Sequence, residues 1–180
     1  DKHFYHHIGF DYLRIAKALV TNIVSSSLSE GASTITQQYA RNLFLNYDKT
    51  WERKIDEAML AIELEVHYTK DEILEGYLNT INYGGIFGIE NASWYYFNKS
   101  ASDLTLAEAS MLAGIPQAPA KLSPINNEKN AKKRQNVVLE LMVNNKKITE
   151  NDKIVAYNTP LEYVGKTDDN DITSLLYYRD

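Results

Sequence analysis

The chain contains no cysteine, which excludes a disulfide scaffold, a thiolate zinc site and a cysteine nucleophile. Four prolines and eight glycines in 180 residues exclude collagen-like and low-complexity classes. No apolar run approaches the roughly 18 residues of a membrane span. Positive charge is not in excess either. Lys and Arg number 19 against 24 Asp and Glu, a net charge of −5, which argues against nucleic acid as a partner. What is present is an ordinary globular composition, 44% hydrophobic and 24% charged, in a length that supports one domain with a real core. The one abundance is 13 tyrosines, amphipathic rings suited to wet grooves or a membrane interface.

Helical periodicity dominates the chain. Leu13, Ile15, Ala16, Leu19, Val20, Ile23 and Val24 recur at helical spacing from Asp11 to Val24, and the stretch 25–31 (SSSLSEG) reads as a loop. Further helices are expected from Ser33 to Leu45 and from Thr50 to His67. The capping box Thr69-Lys70-Asp71-Glu72 opens one that reaches Asn79. A glycine loop follows at Asn82–Gly88, then a short helix to Phe97. A second capping box, Thr105 to Glu108, starts a helix ending near Gly114. Pro116, Pro119 and Pro124 predict an extended connector. A basic helix covers Glu128 to Asn145, and a short one runs from Thr149 to Ala156. No strand pattern and no internal repeat emerge, so the expected class is all-α. Residues 1–156 are read as the domain and 157–180 as a polar boundary segment.

On the helix from Ser33, Ile35, Tyr39 and Leu43 form an apolar stripe, with Ser33, Gln37 and Arg41 on a roughly opposite face. A hydroxyl, an amide and a guanidinium beside a helix N-terminus suit a phosphate-like anion. The same spacing also fits a solvated polar face. On the next helix Trp51, Ile55, Ala58, Met59, Ile62 and Val66 make one apolar face, and Leu60 and Leu64 a second. Arg53 and Glu57 share the second side. They read either as an ordinary i,i+4 pair or as a cleft carboxylate with its cation. His3, His6 and His7 crowd the N-terminus with Asp1 and Asp11, but adjacent residues on a helix do not converge on one metal. The run Lys129, Lys132, Lys133, Arg134 reads as a solvated face that could lie near anionic headgroups.

Several strings together resemble one family. GASTITQQYARNLFL (31–45), RKIDEAMLAIELE (53–65) and YTKDEILEGYLN (68–79) are similar to the peptidoglycan glycosyltransferases. These form family 51 of the glycosyltransferases, found in class A penicillin-binding proteins and monofunctional transglycosylases. DKHFYHHIGFD (1–11) and LTLAEASMLAGIPQAP (104–119) match as well, so the resemblance covers about the first 145 residues. It implies a helical, lysozyme-like head with a smaller membrane-facing jaw lobe, to which the Asp11–Val24 helix would belong. It implies polymerisation of lipid II into β-1,4-linked glycan, with inversion and loss of undecaprenyl diphosphate. The setting implied is the outer face of the bacterial cytoplasmic membrane. The partners are lipid II and the growing glycan chain, with no nucleic acid. The parent chain would carry a membrane anchor and a transpeptidase domain, and a moenomycin-type phosphoglycolipid would inhibit it.

The resemblance also implies roles. Its first carboxylate, the general base, falls immediately before Asp1, so the chain as given lacks it and is expected to be inactive by itself. Asp1, Phe4 and His7 match the rest of that motif. Glu57 matches the second catalytic carboxylate, on the leaving-group side. Arg41, Lys49 and Arg53 match cations that hold the diphosphate, with Lys54 adjacent. Ser33, Gln37 and Gln38 match polar positions beside it. This favours the ligand-face reading of Ser33, Gln37 and Arg41. A divalent metal, Mg2+ or Mn2+, could sit at Glu57, but the sequence does not require one. Departures are Arg41 where lysine is commoner, a loop 83–88 one residue short, and Leu122 where tyrosine is frequent. The alternatives are a lysozyme-like glycan hydrolase, which has no diphosphate to hold, and a degenerate non-catalytic scaffold.

Overall fold

A computed structural model describes residues 1–9, 33–44 and 51–166, with backbone alone for 51–54 and 166. The expected helix 11–24, the loop after it, Lys49 and the segment 167–180 lie outside the described residues. Among the described residues the chain is all-α, as expected, and its extended pairing is limited to an isolated bridge between Asn82 and Phe87. The helices are α1 (Ile35–Phe44), α2 (Trp51–His67), α3 (Lys70–Thr80), α4 (Ile89–Phe97), α5 (Leu106–Gly114), α6 (Pro119–Leu122), α7 (Pro124–Asn144) and α8 (Glu150–Asn158). The chain divides into two compact units, 1–80 and 81–180.

In the first unit α1 packs against both α2 and α3. Phe4, Ala40, Leu64 and Ile73 form its buried centre, with Ile35, Tyr39, Leu60 and Leu74 around them. Each large side chain buried there contributes about 1.5–3 kcal/mol. Ala40, fully buried, has no bulk to hold neighbouring helices apart. On α3, a Cβ at Gly76 would collide with the Tyr39 hydroxyl. Glycine there gives the tyrosine room to lie across the helix. The Thr69 capping box forms as read: Glu72 Oε2 accepts from the Thr69 N–H at 2.7 Å, and Thr69 Oγ1 accepts from the Glu72 N–H at 3.3 Å.

The α2 helix buries the narrower of its two apolar sides. Glu57, Ala61 and Leu64 are buried, while Ile55, Met59, Ile62 and Val66 on the wider face are 49–72% exposed. Apolar count therefore does not decide which side faces α1. Small Ala61 and a carboxylate paired with a guanidinium allow the close approach that the bulkier side does not.

The second unit is built on α5, α7 and α8, with Ala107, Leu139 and Ala156 at their contact. The expected Thr105–Glu108 capping box forms, and a further one, Thr149–Asp152, opens α8. The prolines correct the expected extended connector. Pro116, Pro119 and Pro124 each occupy the first turn of a helical segment, where a missing N–H costs nothing. A kink at Asn127 (φ −154°) separates the Pro124 turn from the basic helix proper. The tyrosines divide. Tyr83 and Tyr96 are core residues, and Tyr5 and Tyr68 are more than half exposed. The Tyr96 hydroxyl donates to the Tyr83 carbonyl at 2.8 Å and lies 2.9 Å from Ser123 Oγ. That bond anchors the 82–88 loop, where Gly84 and Gly85 have positive φ. Beyond α8, Leu161 packs on the α5–α7–α8 contact, and the Tyr163 ring centroid lies 5.8 Å from that of Phe97.

Candidate active site

The site grows from the start of α1. Thr34 precedes the helix and forms a capping box with Gln37. The Thr34 N–H donates to Gln37 Oε1 at 2.9 Å, and Thr34 Oγ1 accepts from the Gln37 N–H at 3.2 Å. The Thr34 hydroxyl donates to the Gly9 carbonyl at 2.7 Å, joining the N-terminal segment to this corner. Asp1 completes the cap, its Oδ2 accepting from the Ile35 N–H at 3.0 Å and lying 3.1 Å from His7 Nε2. Both of those side chains are nearly buried. The first turn of α1 is thus engaged by the chain's own carboxylate. An anion bound here would meet the side chains along the helix rather than its N-terminal dipole.

Those side chains converge on Glu57. Its carboxylate, 1% exposed, lies 3.7 Å from Arg41 Nη1 and accepts from Ser33 Oγ at 3.5 Å. A carboxylate taken out of water needs such partners to stay charged. The Arg41 side chain is 37% exposed, so the guanidinium touches the buried carboxylate at one edge and can present its other N–H groups outward. Gln38 Nε2 sits 3.5 Å from the Ser33 carbonyl. Gln37 is buried and its carbonyl is spent on the cap. Arg53 lies one turn before Glu57 on α2, with Lys54 beside it.

Sequence reasoning passed over Tyr77 on α3. Burial pushes its phenol up to about 12, and the Arg41 charge pulls it back only in part. The hydroxyl therefore remains a protonated donor near Arg41 at any physiological pH. The usable signal was its place in YTKDEILEGYLN, on the helix packed against α1. Fitness for a metal is poor. Among the described residues no three His, Asp or Glu side chains cluster, and the Glu57 carboxylate already faces a guanidinium, which competes with a divalent ion.

The arrangement is one buried carboxylate, a half-exposed guanidinium and a hydroxyl at the corner of two helices. Residues 1–143, which carry all of it, match the family described as transglycosylase. This chain belongs to the transglycosylase family. The transglycosylase domain is 52% identical to penicillin-binding protein 2D of Bacillus subtilis over 164 residues, 91% of this chain and 24% of that protein. It is 49% identical to penicillin-binding protein 1A of Neisseria lactamica, again over 91% of this chain and 21% of the relative. Among solved structures, penicillin-binding protein 1A of Haemophilus influenzae superposes with a TM-score of 0.51 at 27% identity, covering 79% of this chain and 19% of that one. The transglycosylase domain therefore spans about a quarter or less of the length of these relatives, and its all-α, lysozyme-like fold is theirs.

Proposed function

We propose that the domain polymerises lipid II into β-1,4-linked glycan strands at the outer face of the bacterial cytoplasmic membrane. The observation that carries this reading is the buried Glu57 carboxylate in contact with a guanidinium that still faces solvent. In the reaction the acceptor 4-hydroxyl attacks the donor's anomeric C1. The C1–O bond to the undecaprenyl diphosphate breaks, and the configuration inverts. Negative charge grows on the leaving diphosphate, and Arg41 is the cation this reading assigns to it. The Glu57 carboxylate, 3.7 Å from Arg41 Nη1, holds the guanidinium charge at this corner by ion pairing, and the exposed N–H groups are free to meet phosphate oxygens. Ser33 holds the other carboxylate oxygen. Lys49 and Arg53 extend the cationic side by family likeness. The acceptor proton goes to a carboxylate that the likeness puts immediately before Asp1.

The domain acts, in this reading, as part of a longer membrane-anchored penicillin-binding protein. The test is lipid II polymerisation by the domain in its native chain, upstream residues included. Glu57→Gln is expected to lower turnover at least a hundredfold, the scale for losing one pre-aligned electrostatic group. Polymer made at the normal rate by Glu57→Gln overturns the reading. Membrane contact is tested at the periodic apolar residues before the site. Asp in place of Leu19 and Ile23 is expected to weaken association with anionic liposomes, and unchanged association discards that part.

A further inference from the structure

The proposed chemistry leaves a second carboxylate on α2 unused. Glu65 lies two turns after Glu57, and its side chain is 7% exposed. Two groups converge on its Oε1: Thr36 Oγ1 donates at 2.6 Å and Lys70 Nζ at 2.6 Å. Thr36 is fully buried in the first turn of α1. Lys70 is the first residue of α3, and its ammonium lies 4.6 Å from the centroid of the Phe4 ring, within cation–π range. Phe4 is buried and belongs to the same N-terminal turn as Asp1. One carboxylate therefore joins α1, α2, the start of α3 and the segment that caps α1.

A buried ion pair is weak evidence for stability, and its best-attested use is to specify register. The register at stake can be read directly. Two carboxylates on α2, about 12 Å apart along its axis, hold α1 at two places. Glu65 holds Thr36, and Glu57 meets Ser33 and Arg41. Turning α1 by one residue, 100°, would carry Ser33 and Arg41 away from Glu57. The apolar contacts tolerate a smaller rotation better, because they are non-directional. A hydrogen bond at 2.6 Å does not.

We propose that Glu65 is a positioning residue of the transferase site: through Thr36 it fixes the rotation of α1 that brings Ser33 and Arg41 to Glu57, while Lys70 orients Glu65 and links it to the Phe4 turn. The inference rests on the function proposed above.

The experiment uses Glu65→Gln, Thr36→Val and Thr36→Ser in the native chain, with Ile73→Val as a core control in the same unit. Two readouts are taken below every melting midpoint: steady-state lipid II polymerisation, and the side-chain ¹⁵N–¹H resonances of Arg41. Glu65→Gln and Thr36→Val are expected to lower kcat about ten- to a hundredfold, the scale of an ångström-level misplacement, with KM changed far less. Both should shift the Arg41 resonances. Thr36→Ser, which keeps the hydroxyl, should restore both, and Ile73→Val should leave both alone. Unshifted Arg41 resonances in Glu65→Gln and Thr36→Val overturn the proposal, whatever the turnover. So does a kcat loss no larger than that of Ile73→Val. Normal turnover in Glu57→Gln sinks the functional reading instead, and the Arg41 resonances still decide the positioning role.

Discussion

Arg41 and Glu57 are unequal partners, and the inequality can be measured. The Glu57 side chain is 1% exposed and that of Arg41 is 37% exposed. Arg41→Met removes one cation from beside a buried carboxylate. Breaking a fully buried pair in this way costs about 3–5 kcal/mol. Here the contact is 3.7 Å and one member reaches water, so roughly 1.5–3 kcal/mol is expected. Glu57→Gln keeps an acceptor for Ser33 and leaves a guanidinium that water can solvate, at a cost below about 1 kcal/mol. In the double variant no buried charge remains, and the loss falls back to about 1 kcal/mol. The cycle should therefore be non-additive by about 1–2 kcal/mol. In a chain of this size the arginine variant should melt roughly 4–10 °C low and the glutamine variant no more than about 3 °C low. Urea unfolding of the four proteins, with the slope checked for constancy, gives the coupling. Additive losses, or an Arg41→Met variant as stable as Glu57→Gln, would refute the description of a buried carboxylate dependent on a solvated cation.

Two further outcomes concern the second unit. Burial works against ionisation of Glu108, but the Lys99 ammonium at 2.9 Å and the Thr105 N–H and hydroxyl outweigh it and hold the carboxyl below its ordinary 4.5. A carboxyl depressed by folding stabilises above its unfolded value and loses that contribution as pH falls through the folded one. Stability should decline from about pH 4.5 downward, and Glu108→Gln should flatten that limb. Parallel pH curves for the two proteins would contradict it. At the 82–88 loop, a Cβ on Gly84 would lie 2.7 Å from the Tyr96 hydroxyl and 2.8 Å from Ser123 Cβ, at φ +87°, whereas Gly85, at φ +105°, has open space around it. Gly84→Ala is expected to cost about 2–4 kcal/mol from strain and overlap together, and Gly85→Ala about 1 from strain alone. Equal melting temperatures would show that the Tyr96–Ser123 anchor yields freely.

The grouping of Ser33 and Arg41 in the candidate site was legible because its signals are local. Periodicity put Ser33, Gln37 and Arg41 on one side of a helix, and the family motifs named Glu57 without any coordinates. Gln37 shows where local reading stops. Its spacing suits a ligand face, yet its carbonyl closes the Thr34 cap, a choice that depends on which way α1 is turned against its neighbours. Glu65 sat inside a quoted motif with no role, because its partners Thr36 and Lys70 lie 29 and 5 residues away and no helical period relates all three.

The sequence by itself determined the helices, since 3.6-residue periodicity, capping boxes and the lack of strand patterning are properties of neighbours along the chain. It also determined the family, since three long motifs in order leave little room for coincidence. Tertiary structure decided which side of α2 is buried. The wider apolar face with Ile55, Met59, Ile62 and Val66 lies open, and the side with Glu57 and Ala61 packs inward. Burial of a helix face depends on the shape and polar groups of what meets it. A carboxylate that finds a hydroxyl and a guanidinium across a small alanine can go inside where four branched or flexible apolar side chains do not.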